Sequence, residues 1–85
     1  MTNVAYFDDV ITVTAAIALD GQTSPKTFTW QGTQYRVITI GRQWESEDGR
    51  HILIEVAGGD RFELQLSRAD LVWRLKRAWS GEILV

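Results

Sequence analysis

Residues 7–19 run with a period of two: Phe7, Ile11, Val13, Ala15, Ile17 and Leu19 fall on one side, and Asp8, Val10, Thr12, Thr14, Ala16 and Ala18 on the other. This is the period of a β-strand, whose successive side chains point to opposite faces, and the β-branched residues in its middle suit a pleated backbone better than a helix. Only Asp9 interrupts the apolar side. The alternation returns in "RFELQL", where Phe62, Leu64 and Leu66 share one face and Glu63 and Gln65 the other. Between such runs lies turn chemistry. "DGQTSP" offers Gly21 for positive φ and Pro25 for a fixed φ, Gln31-Gly32 forms a tight hairpin tip, and "ESEDG" and "GGD" supply two further turns. The intervening runs "KTFTW", "QYRVITIGRQW" and "RHILIEVA" read as extended, with Gly41 as a bulge or bend.

The last of six extended segments, "LVWRLKRAW", admits two readings. As a helix, Ser67 caps with Asp70 at the third position, Leu71, Val72, Leu75, Ala78 and Trp79 form a stripe, and Gly81 ends it. As a strand, "SRAD" is a four-residue hairpin loop, and Leu71, Trp73, Leu75, Arg77 and Trp79 share a face with Phe62 and Leu64. The strand groups both tryptophans, whereas the helix leaves Trp73 off its stripe, so the strand is preferred. The expected architecture is one small all-β domain over residues 1–85, an antiparallel meander of about six strands curled into a barrel or a strongly bent sheet.

The chain is short, yet 45% of its 85 residues are hydrophobic and four are tryptophan, enough for one core. A net charge of -2 argues against coating nucleic acid or an anionic membrane. The absence of cysteine excludes disulfides, thiolate metal sites and thiol redox chemistry. The opening "MTNVAYFDDV" has no basic start followed by an apolar run, and no stretch approaches about 20 apolar residues, so the expectation is a cytoplasmic protein without a membrane span.

His51 is the only histidine, and within "RHILIEV" it reads as a strand residue rather than a general base. The pairs Asp8/Asp9 and Glu45, Glu47, Asp48 fall at a strand start and a turn, where solvated carboxylates are ordinary. Catalytic, cofactor and metal sites are therefore not expected. Binding is the stronger class: seven arginines against two lysines lie mostly in or beside strands, among Trp30, Tyr35, Trp44, Trp73 and Trp79. The primary expectation is a non-enzymatic binding or interaction module with a protein partner, two copies pairing by an edge strand if it dimerises. The alternative is single-stranded nucleic-acid binding by a strand face, with Arg36, Trp44, Arg74 and Lys76 as the contact residues.

Taken together, "YFDDVITV", "DGQTSPKTFTWQGTQYRVITIGRQW", "RFELQL" and "VWRLKRAW" resemble a bacterial domain family of unknown function. Phe28, Trp30, Gly32, Tyr35, Val37 and Trp44 match its core in order, followed by Phe62-Glu63-Leu64 and then Trp73, Leu75 and Arg77. Similar segments form the tail of proteins resembling Y-family DNA repair polymerases, so the resemblance implies a β-rich fold and an association with DNA repair. It also favours the strand over residues 71–79. Relatives carry a glycine-containing hairpin before the final tryptophan, where this chain has "SRADL". No catalytic residue is carried over.

Overall fold

The computed structural model describes residues 3–79. Their strands are β1 (Val4–Val10), β2 (Thr12–Ile17), β3 (Thr23–Trp30), β4 (Thr33–Ser46), β5 (Gly49–Val56), β6 (Arg61–Ser67) and β7 (Trp73–Trp79). All seven belong to one antiparallel sheet, and no helix long and apolar enough to cross a membrane occurs among these residues. Six strands become seven because the run over residues 7–19 breaks at Ile11.

That break explains the sheet's shape. The order is β1-β7-β6-β5-β4-β3-β2, so β1 and β2 are its two edges although a single residue separates them in sequence. A flat sheet of seven strands would hold its edges about 29 Å apart at roughly 4.8 Å per strand, whereas one residue spans only about 3.5 Å. The sheet must therefore curl until its edges meet at Ile11. It is bent rather than closed, because β1 pairs with β7 and β2 with β3. Ile11 is buried at the corner, and its N–H donates to the Trp73 carbonyl at 3.1 Å.

The inner face holds the core: Ile11, Phe28, Ile52, Ile54, Val56, Phe62, Leu64 and Leu75, with Trp30, Tyr35 and Trp73 packed against it. Phe62 meets Phe28, Trp30 and Tyr35 edge-on at centroid distances of 5.4, 5.7 and 5.2 Å, the arrangement that aromatic quadrupoles favour. Asp9, the interruption in the apolar run, has a partner here: the Trp30 indole N–H donates to its Oδ2 at 2.9 Å. The register of β2 shifts between Thr14 and Ala15, and beyond it Ile17 and Leu19 are exposed rather than core.

The hairpin at Gln31-Gly32 forms as the sequence indicates, with φ of 51° and 78°, the paired left-handed residues that match strand twist in a two-residue loop. The loop between β6 and β7 differs from expectation. Ser67 belongs to β6, the connection runs from Arg68 to Val72, and Leu71 stands at φ 57° with its side chain 74% exposed. A leucine in this conformation costs about 1–2 kcal/mol that a glycine avoids. Leu71→Gly is therefore expected to stabilise the domain by about 0.5–1 kcal/mol despite the looser unfolded chain. Urea unfolding measures this, and a loss of stability would contradict the strain.

Residues 73–79 are strand, but not with one uninterrupted face. Glu63 pairs with Arg77 and Leu64 with Leu75, leaving Lys76 as an extra residue. The bulge reverses the alternation. Trp73, Leu75 and Ala78 face the core, whereas Arg77 and Trp79 face outward, so Trp79 is not grouped with Trp73 on the Phe62 face.

Candidate binding face

On β5, His51, Leu53 and Glu55 alternate with the buried Ile52, Ile54 and Val56, and so lie on the outer face. Register extends that face across the sheet. One row runs Trp44, His51, Gln65, Arg74, Val10; the next Leu53, Glu63, Arg77, Tyr6; the last Thr39, Glu55, Arg61, Trp79, Val4. His51, Glu63 and Gln65 are buried although they face outward. Longer neighbours cover them: Trp44 lies flat on His51, with rings 5.1 Å apart and 4° from parallel, and Arg77 reaches over to Glu63.

These groups form a continuous polar chain. Ser46 Oγ and His51 Nε2 share a hydrogen bond of 2.8 Å, His51 Nδ1 donates to Glu63 Oε2 at 2.6 Å, and Arg77 Nε donates to Glu63 Oε1. Hydroxyl, imidazole and carboxylate thus follow one another in the order used for acyl transfer. Each member has a further structural tie here. Asp48 N–H donates to Ser46 Oγ at 3.2 Å, as when a serine closes its own turn, Trp44 covers the imidazole, and Arg77 takes the second carboxylate oxygen. The chain links β4, β5, β6 and β7 as a cross-strand staple with its buried polar groups satisfied.

The cations divide into two sets. Arg68 pairs with Glu45 at 2.7 Å, Arg74 with Asp70 at 3.0 Å, Lys76 with Asp8 at 2.7 Å, and Arg77 with Glu63. Lys26, Arg36, Arg42, Arg50 and Arg61 have no carboxylate partner among the described residues, Arg50 donating instead to the Thr23 carbonyl and to Gln43 Oε1. Of the four residues singled out in the sequence, Trp44 and Arg74 share a row but stand three strands apart, about 14 Å. Lys76 sits in the β7 bulge, and Arg36 lies opposite Thr27 in the other half of the sheet. They do not converge.

The Arg74 pairing has a pH signature. The hydrogen bond from Arg74, then one from the Ser67 hydroxyl, then the Val72 N–H, hold the Asp70 carboxyl down at about 2, and Lys76 similarly lowers that of Asp8. A carboxyl depressed in the folded state adds stability above its ordinary value near 3.8 and loses that contribution as pH falls through about 2. A carboxyl-detected NMR titration is expected to place the Asp70 midpoint near 2; a midpoint near 3.8 would mean the pair does not form in solution.

The unpaired set identifies what sequence reading missed. A groove of ≈ 490 Å³ opens on the outer face, floored by Gly41 and Leu53 and bordered by Arg42, Arg61, Glu55 and Trp79. Its formation depends on register. Gly41 and Arg42 together oppose the single residue Leu53 in a β4 bulge, and Trp79 faces outward only because Lys76 is bulged from β7. Arg42 lies 5.5 Å from the Trp44 ring centroid, and Arg77 4.7 Å from that of Trp79, so a cation–aromatic pair stands on each side. Gly41 was the one local signal, since a strand glycine marks a bulge or a close approach. Comparison with protein-family models, curated proteins and solved structures finds no match to this chain.

Proposed function

We propose that this chain is a non-enzymatic binding module that takes its ligand into the outer-face groove of β4–β7. The observation that carries the reading is the groove itself: a largely apolar floor with two guanidinium groups and an indole at its border. Its volume lies within the range of about 300–1,000 Å³ typical of ligand sites. The resemblance to tails of proteins like Y-family repair polymerases fits a module of this kind working beside DNA-repair chemistry in the bacterial cytoplasm. Homodimerisation through an edge strand would use β2, where Ile17 is exposed at the strand's end and Leu19 just beyond it.

A screen of chemically mixed small fragments, read by amide NMR, tests the site. Hits are expected to concentrate on Gly41, Leu53, Arg61 and the Trp79 indole. Fragments that collect elsewhere, or nowhere, would overturn the assignment. The Ser46–His51–Glu63 chain favours one other reading, an acyl-transfer enzyme, and a fluorophosphonate serine probe separates the two. No labelling of Ser46 is expected, because its hydroxyl is committed to the turn and the imidazole. Labelling lost in His51→Ala would establish a nucleophilic serine instead.

A further inference from the structure

We infer that the groove's ligand is a nucleotide unit, a planar base carrying a phosphate, and that Arg42, Arg61 and Trp79 recognise it; this rests on the groove being the binding site. Three features select that chemistry. Arg42 and Arg61 are the groove's two guanidinium groups, and neither has a carboxylate partner among the described residues, so both are available to an anion. Glu55 is opposite Arg61 in register without forming an ion pair to it, which leaves the groove one positive charge in excess.

The second feature is flatness. Trp79 presents an indole at the border, and guanidinium groups are themselves planar, so the groove favours a π-surface over a branched or fully aliphatic ligand. The third is Glu55, an acceptor among donors. A carboxylate in this position accepts from the exocyclic amine of a base such as cytosine. An acidic peptide would match the arginines and leave Glu55 opposed by like charge.

The site differs from the Arg74 and Lys76 strand face. Those cations are neutralised by Asp70 and Asp8, and the overall charge of -2 disfavours a long electrostatic footprint. Two arginines contacting two phosphates of a single strand would give a slope of log affinity against log salt of about -1.4, shallow for a nucleic-acid binder. The shared chemistry, base plus phosphate, can come from a free nucleotide or from a polynucleotide.

The test is tryptophan fluorescence and calorimetric titration of the full chain with deoxycytidine, deoxycytidine monophosphate and a short oligodeoxycytidylate. The monophosphate is expected to bind with Kd of about 0.1–1 mM, and deoxycytidine at least about tenfold more weakly, since it lacks the anion that the arginines hold. Tighter binding by the oligonucleotide, with the salt slope near -1.4, assigns the site to a polynucleotide; equal affinity assigns it to the free nucleotide. Arg42→Gln with Arg61→Gln is expected to lower affinity by at least about tenfold while the far-ultraviolet spectrum and melting temperature hold, and Arg74→Gln with Lys76→Gln to leave affinity unchanged. Equal binding of deoxycytidine and its monophosphate, loss of affinity only in the Arg74/Lys76 variant, or preference for a glutamate-rich aromatic peptide would overturn the inference. If fragments occupy the groove while nucleotides leave it silent, the ligand class fails and the binding-site reading stands.

Discussion

Phe62→Ala is expected to remove about 3–5 kcal/mol of folding stability, a large share of the roughly 5–15 kcal/mol a domain has. Phe62 is fully enclosed and is the ring on which Phe28, Trp30 and Tyr35 converge, so truncation removes its own burial and three edge-on contacts together. Those three rings come from β3 and β4, whereas Phe62 is on β6, and the lost contacts are therefore those that hold the curled sheet onto itself. Phe62→Leu keeps most of the volume and is expected to cost less than about 2 kcal/mol. Urea unfolding of the two variants measures the difference. Equal, small losses in both would mean that the inner face is loosely packed and that the curl is held by something other than this cluster.

The second large effect is at Gly49, where two causes add. Its φ is 146°, and a Cβ built there would stand 2.2 Å from the backbone oxygen of Leu66 and 3.0 Å from the Arg68 nitrogen. The obstacle is neighbouring backbone, which cannot rotate away. Gly49→Ala is expected to cost about 3–5 kcal/mol, combining a strained φ with overpacking. Gly58→Ala is the control, because Gly58 stands at φ 100° with nothing within 4 Å of its added Cβ; it should show the conformational cost alone, about 1–2 kcal/mol. If the two variants lost equal stability, the close approach of β5 to β6 at Gly49 would be absent in solution.

The local alternations over residues 7–19 and 61–66, the Gln31-Gly32 tip and the bulge at Gly41 marked the extended segments and the antiparallel meander from sequence, although residues 7–19, read as one strand, belong to two. These are short-range signals. What escaped depended on longer range. The corner at Ile11 is set by β1 pairing with β7 while β2 pairs with β3, a choice made by β1 and β7 residues 64 to 75 positions apart, from Val10↔Arg74 to Val4↔Trp79. The outward turn of Trp79 depends on one bulged residue, Lys76, since a slip of one position exchanges the faces of everything beyond it. Leu71 adopts a left-handed conformation in a loop that gave no glycine to mark it.

The candidate site followed the same division. The arginines and tryptophans were visible as a composition, but availability was not. Arg74 and Lys76 are neutralised by Asp70, four residues back, and by Asp8, at the far end of the chain. His51 read as a strand residue, and it is one, but the chain of hydrogen bonds from Ser46 to Arg77 joins four strands and had no signature in any single segment. The polar lock and the proposed site share this face: buried polar groups tie the strands together, and two of the cations without a carboxylate partner, Arg42 and Arg61, border the groove.

The central claim is one of location, and an amide NMR titration of the labelled chain with a short oligodeoxycytidylate tests it most directly. The expected result is salt-sensitive, saturable shifts at Gly41, Arg42, Leu53, Arg61 and the Trp79 indole, with Asp8, Ser67, Arg74 and Lys76 unmoved. Shifts centred on Arg74 and Lys76, or none on the outer face of β4–β7, would contradict it.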